Sequence, residues 1–345
     1  MIDVPSGVLL KRGTTELLVS GEGSRELLLS ILVAAGDQGI DLEELRKRFA
    51  PSDEPNSVGA LLEELRGRRI LVDASAAQLA GSLVETPLDV LAWDAGGSAS
   101  ALRAALAETS VHVIGVNAIS RRLVDALGRD GFTVCSVDHP ELRNVRLFDL
   151  GGTLKPESWG STAPESYDTW SATLDARTVS CLAVCSDFGG LQLLSAWNEI
   201  AYENGWTFLP VVLQDLIGFV GPLVVPGETA CFECFLARRD SSATPSPHAR
   251  AAEAHAFAGQ SISAYHPSMA SVLGDVAALE LTKFFGSLWP SELVNRAIEV
   301  NLLAAKMESR RVLKIPRCRV CSPLNEREPL AVMKETFLAK YAFDE

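Results

Sequence analysis

Two CxxC pairs, Cys231-Phe232-Glu233-Cys234 and Cys318-Arg319-Val320-Cys321, constrain this chain more than any other feature of its sequence. Each pair can present two thiolates to one metal through a knuckle turn. Four thiolates complete a tetrahedral Zn2+ and leave no position open for water, which predicts a structural Zn2+. Between the pairs lie residues 235 to 317, 83 in all, far beyond the spacing of an isolated zinc finger. A shared ion therefore ties the late chain back to the body of a larger domain. Two separate pairs of buried or redox thiols are the alternative; a redox CxxC normally opens a helix after a strand, and a late second copy has no evident use. Cys135, Cys181 and Cys185 sit in apolar, strand-like runs, where free cysteine behaves as a small core hydrophobe. An odd total of seven also argues against a disulfide framework.

A length of 345 residues predicts about two domains. With 47% hydrophobic and 22% charged residues the chain can bury enough apolar surface to fold. Its 31 Lys and Arg against 44 Asp and Glu leave a net charge of −13, which argues against general affinity for nucleic acid or anionic membrane. No run reaches the roughly 20 apolar residues of a membrane span. The start, Met1-Ile2-Asp3-Val4-Pro5, lacks the basic and apolar run of a signal peptide, so a cytoplasmic location is expected.

Residues 1–80 read as a small separate module. Gly7 to Gly13 and Thr15 to Ser20 are β-prone runs suited to a hairpin. Ser24 and Asp41 can cap helices, and Ser57 opens a third with Val58, Leu61, Leu62 and Leu65 at helical spacing. Ile70-Leu71-Val72 is expected as a closing strand. Small strands with three helices outline a winged helix-turn-helix. Residues 81–345 read as a second domain, in which 81–107 is an Ala-, Gly- and Ser-rich boundary segment and 324–345 a tail. From Val111 onward strands and helices alternate, which predicts an α/β fold with a mostly parallel sheet.

The run Gly221-Pro222-Leu223-Val224-Val225-Pro226-Gly227-Glu228-Thr229-Ala230-Cys231, with the distant second CxxC, resembles the zinc region of ThiF/MoeB-type, ubiquitin-activating-like adenylyltransferases. Cys185-Ser186-Asp187 and Asn198-Glu199 match where that family places a strand-end Asp and a helical Asn. The resemblance covers roughly residues 108 to 323 and implies a ThiF-like sheet domain with a four-cysteine zinc site. It also exposes a departure. The family's glycine-rich turn is here Gly115-Val116-Asn117-Ala118-Ile119-Ser120, with one glycine and with bulky Val116 and Ile119 where a nucleotide would approach. Gly115, Asp138 and Asp187 are thus at most a vestigial nucleotide site, and a complete ATP site is not expected. Asp138 and Asp187 read as strand-end turn formers, so substituting Asp187 is expected to change little. The polar segment 239–259, where ubiquitin-activating relatives carry a catalytic cysteine, has none. No catalytic residue is assigned, and the histidines carry no assignment either.

Together the two halves resemble the leader-peptide-binding partners of azoline-forming cyclodehydratases in thiopeptide and other thiazole/oxazole peptide pathways. That resemblance implies an N-terminal PqqD-like clamp, which takes a precursor's leader as an added strand, and a YcaO-type partner, which uses ATP to cyclise Cys, Ser or Thr. This chain would be a non-catalytic scaffold, and a homodimer is compatible with it. The candidate clamp residues are Leu17, Val19, Leu61, Leu65 and Arg68. Two rival readings stand beside this one. An active adenylyltransferase would activate a peptide carboxylate, and a winged-helix regulator would bind DNA. Residues 1–75 carry nine basic and thirteen acidic residues, a net of −4, which is poor for tracking phosphates.

Overall fold

The computed structural model describes residues 1–36, 39–49, 57–72, 86–160, 162–174, 177–242, 248 and 264–326. The chain divides into two compact units, Met1–Ala104 and Ala105–Glu345.

The first unit is built on an antiparallel sheet of β1 (Ile2–Val4), β2 (Gly7–Arg12) and β3 (Thr15–Ser20) in that spatial order. A two-residue loop, Gly13-Thr14, joins β2 to β3 through the pair Arg12↔Thr15. Gly13 takes a φ of +57, and a Cβ there would meet the Asp94 carboxylate. Alternation along the hairpin sends Val8, Leu10 and Leu17 inward, against Leu28 and Ile31 of α1 (Ser24–Ala35), Leu45 of α2 (Leu42–Phe49), and Leu62 and Leu65 of α3 (Ser57–Gly67). Asp41 caps α2 as expected, accepting from the amides of Glu43 and Glu44 at 2.8 and 3.2 Å. Ser24 does not cap α1; it is the helix's first residue, preceded by Gly23 in the left-handed region.

Two sequence expectations change here. Ile70-Leu71-Val72 is not a strand: the chain bends there, and the amides of Ile70 and Leu71 return to the Leu65 carbonyl. The Ala-rich stretch after residue 85 is helical, at Pro87–Asp94 and Ala99–Glu108, and residues up to Ala104 belong to the first unit. Thr86 and Asp89 form a reciprocal capping box that starts the first of these helices. That helix is held by Arg69, which donates to the carbonyls of Trp93 at 2.7 Å and Gly97 at 2.9 Å, and by Arg12 over the Trp93 ring at 4.4 Å. The two units meet at Ala104, within the 81–107 segment that the sequence marks as a boundary.

The second unit contains an eight-stranded sheet in the order β11-β10-β9-β8-β7-β4-β5-β6. β4 (Ser110–Ile114), β5 (Thr133–Asp138), β6 (Glu165–Ser166), β7 (Cys181–Ser186) and β8 (Thr207–Gln214) pair in parallel, while β9 (Ile217–Val220), β10 (Arg296–Asn301) and β11 (Lys306–Arg311) continue antiparallel. β4, β7 and β8 are buried along nearly their whole length, on both sides of the alternation, as parallel strands covered on both faces are. Leu182 and Val184 of β7 join the core cluster that holds Trp197 and Phe232; the two-residue period turns Ala183 and Cys185 the other way. The strand order reverses at β4, whose neighbours are β5 and β7. Ligands of open α/β sheets bind in the crevice beyond the carboxyl ends at such a point.

Candidate functional site

The four CxxC cysteines come together in the second unit. Cys231 and Cys234 flank the start of the Phe232–Ser242 helix, and Cys318 and Cys321 lie in turns after β11. Side-chain oxygens hold the first knuckle: Asn198 Oδ1 accepts from the Phe232 amide at 3.1 Å and Asn295 Oδ1 from the Ala230 amide at 2.9 Å. Arg319 of the second knuckle reaches Glu199 at 2.9 Å and Glu233 at 3.3 Å, bracing one knuckle against the other. All four sulfurs lie within 4.8 Å of one another and are buried. Cys231 Sγ is 3.8 Å from Cys234 Sγ and 3.4 Å from Cys318 Sγ, and Cys234 and Cys321 are 3.5 Å apart. A zinc about 2.3 Å from each thiolate needs edges of about 3.8 Å, so the quartet fits a tetrahedral ion. The Ile315 amide donates to Cys234 Sγ at 3.3 Å. The hydrogen bond from the Cys231 thiol is the main influence holding Cys234 below the usual thiol range, and that same bond, with burial, holds Cys231 above it. The buried quartet could hold a metal ion.

At the switch point a second cluster closes the crevice. Asn117 caps the Ala118–Asp130 helix, its Oδ1 accepting from the amides of Ile119 and Ser120 at 3.1 and 3.0 Å while its Nδ2 donates to the Cys185 carbonyl at 2.7 Å. Asp187 Oδ2 takes the Ala118 amide at 3.0 Å, Asn144 Nδ2 at 2.8 Å and the Tyr265 hydroxyl at 2.5 Å. All three first-turn amides, the groups a phosphate would need, thus have acceptors from the protein itself. Gly115 has a φ of +107, and a Cβ on it would sit 2.7 Å from the Cys185 carbonyl oxygen. Asp138 is taken by Arg143 through two bonds of 2.6 and 2.8 Å. This arrangement does not fit a nucleotide's phosphate chain.

Two readings of the turn are corrected here. Val116 and Ile119 are both fully buried, Val116 in a cluster with Phe148 and Trp159, so they do not stand in the crevice; Asn117 and Asp187 close it. Nor is Asp187 a dispensable turn former. It is 0% exposed and receives three hydrogen bonds on one oxygen, while Oδ1 has no partner. Sequence reasoning missed Asn117 and Tyr265. Only the first leaves a sequence trace, the Asn-x-x-Ser spacing of a capping box.

The proposed clamp residues lie in the first unit. Leu17 and Leu65 are buried in its core, whereas Val19 and Leu61 are half-buried on the same cluster. Arg68 is exposed and donates to the Glu16 carbonyl on β3 at 2.5 Å. β3, like β1, is an outer strand of its sheet, with no described strand beyond it. Among the histidines, His112 is 2% exposed and accepts from Trp170 Nε1 at 2.8 Å; burial holds it at about 4, neutral within the core. Cys181 and Cys185 are fully buried and their thiols pushed up, while Cys135 is half-buried near Glu165 and Arg177. Most of the polar segment 239–259 and nearly all of the 324–345 tail lie outside the described residues. No described helix is long and apolar enough to cross a membrane.

No family model and no curated protein matches this sequence. Solved structures do. E. coli MccB aligns at 15% identity and a TM-score of 0.60, over 93% of this chain and 94% of its own. The microcin C7 biosynthetic enzyme MccB in complex with N-formylated MccA aligns at 14% and 0.62, over 93% and 97%. A heterocyclase in complex with substrate and cofactor aligns at 18% and 0.59, over 93% of this chain and 38% of that one. At these identities the likeness shows a shared fold, the ThiF/MoeB-like one.

Proposed function

We propose that this chain binds the leader of a ribosomally made precursor peptide and delivers it to a YcaO-type partner, which uses ATP to form azolines from Cys, Ser or Thr. Within the first unit, the three-stranded sheet with α1, α2 and α3 is the PqqD-like clamp of winged-helix type, and the ThiF-like unit is a non-catalytic scaffold held by a structural zinc on Cys231, Cys234, Cys318 and Cys321. Both act in the cytoplasm. The observation that carries this reading is the edge of β3, which has no described strand beyond it, with half-buried Val19 on that strand and half-buried Leu61 on the same core cluster. An extended peptide pairs with such an edge through its backbone and is selected by the apolar lip. Support also comes from the shared fold, since one neighbour was solved with a peptide, MccA, and another is a heterocyclase with its substrate.

The adenylyltransferase reading draws on the neighbour solved with ATP. Against it stands a crevice whose helix amides are already bonded to Asn117 and Asp187. The DNA-binding reading has the first unit's acidic charge against it.

Titrating the full chain into labelled synthetic peptides, one for each short open reading frame found adjacent to its gene, tests the proposal. Saturable binding in the micromolar range or tighter, retained in moderate salt, is expected. Failure to bind, or ATP–pyrophosphate exchange by the chain alone, would overturn it.

A further inference from the structure

The outer strand β3 has a pairing phase that the hairpin sets. A two-residue loop is closed by a pair that exchanges both ladder hydrogen bonds, here Arg12↔Thr15. Thr15, Leu17 and Val19 therefore turn their N–H and C=O toward β2, and Glu16, Leu18 and Ser20 turn theirs to the open edge. The Glu16 carbonyl bears this out, because it meets not β2 but Arg68, whose Nη1 donates to it at 2.5 Å while Nε is held by Glu64 at 2.6 Å. On the face away from the helices, the register aligns Ile2, Leu9 and Leu18 as an apolar row across all three strands. Ile2 and Leu18 are each 49% exposed, so the row ends, uncovered, at the edge.

We propose that Arg68 is a register stop for the guest strand: the peptide pairs with Leu18 and Ser20, ends short of Glu16, and carries an apolar residue opposite Leu18 that prolongs the Ile2–Leu9–Leu18 row. This rests on the peptide-clamp reading and deepens it. A guest strand needs edge acceptors, and the acceptor at Glu16 is already taken by a charge-assisted bond. Beyond it, Leu18 supplies an exposed side chain whose partner across the new pair gains most by being apolar. The guest's flanking residues then point to the other face, toward the lip of Val19 and Leu61. Arg68 thus bounds the site at one end, and Leu18 selects the residue beside it.

Amide exchange of the full chain, followed by NMR alone and with the tightest-binding of the synthetic peptides made from short open reading frames adjacent to its gene, tests the proposal. In the free chain the amides of Glu16, Leu18 and Ser20 should exchange fast and those of Leu17 and Val19 slowly; protection of Leu18 and Ser20 without peptide would overturn an open edge. In the complex Leu18 and Ser20 should become protected and Glu16 should not, whereas in the Arg68→Ala complex Glu16 should become protected too. Leu18→Lys should weaken binding roughly tenfold, and Val33→Lys, on the 78% exposed Val33 of α1, should leave it unchanged. Equal protection of Glu16 in the wild-type complex, or undiminished binding by Leu18→Lys, would overturn the register stop while leaving the clamp standing. Absence of any binding overturns the clamp itself and the register stop with it.

Discussion

Asp187 shows how much a single side chain carries. It accepts an amide, a carboxamide and a hydroxyl on one buried oxygen, so removing it leaves three donors unpaired at the sheet's switch point. Asp187→Ala is expected to cost about 3 kcal/mol of the second unit's stability, read as a lower urea midpoint; a change within about 0.5 kcal/mol would show that the cluster is not held as described. His112 gives a pH dependence of definite sign. Buried and held at about 4, against 6.5 when exposed, it binds fewer protons in the fold than in the unfolded chain across that window. Stability therefore falls as pH falls below 6.5, by about 2 kcal/mol between pH 7 and pH 5 from this residue. His112→Gln should flatten that part of the urea-midpoint profile, and an unchanged slope would assign the dependence to other groups.

Among the elements, the two knuckles depend on each other most. Cys318 lies 3.4 Å from Cys231 Sγ, and Arg319 beside it reaches Glu199 and Glu233. Structural zinc binding is coupled to folding. Cys318→Ser should therefore lose the metal, read as zinc per chain, and lower the melting temperature of the second unit by several degrees or more; strong chelation should do the same to the wild type. Full retention of both would refute a shared ion. The elements themselves were unevenly legible. β4, β5, β7 and β8, the helices Ala118–Asp130 and Leu191–Glu203 and the long helix at Pro267 announce themselves by period and by flanking glycine and proline, whereas the two-residue β6 and the short helices Pro156–Trp159 and Tyr167–Ala172 do not. The helices at Pro87 and Ala99 did not, because Ala-, Gly- and Ser-rich sequence has weak amphipathic contrast and their anchors, Arg69 and Arg12, lie far away in sequence.

For the molecule as a whole, the acidic balance and the closed crevice make the same forecast from opposite ends. With a net charge of −13, the chain should show no salt-steep affinity for duplex DNA. With its helix amides already bonded to Asn117 and Asp187, addition of Mg2+-ATP to the chain alone should leave its melting temperature unmoved; a shift of several degrees would reopen the adenylyltransferase reading.

The sequence alone determined the class of fold, the two-part organisation and the cysteine quartet, since hydrophobic period and CxxC spacing are local signals. Only the tertiary structure decided which groups close the crevice, where the first unit ends, and which backbone atoms of β3 face outward. Asn144, Asp187 and Tyr265 meet across 43 and 78 residues of chain, and Arg68 meets Glu16 across 52. Such contacts follow from packing, in which distant side chains must satisfy one another once water is excluded, and no local pattern records that.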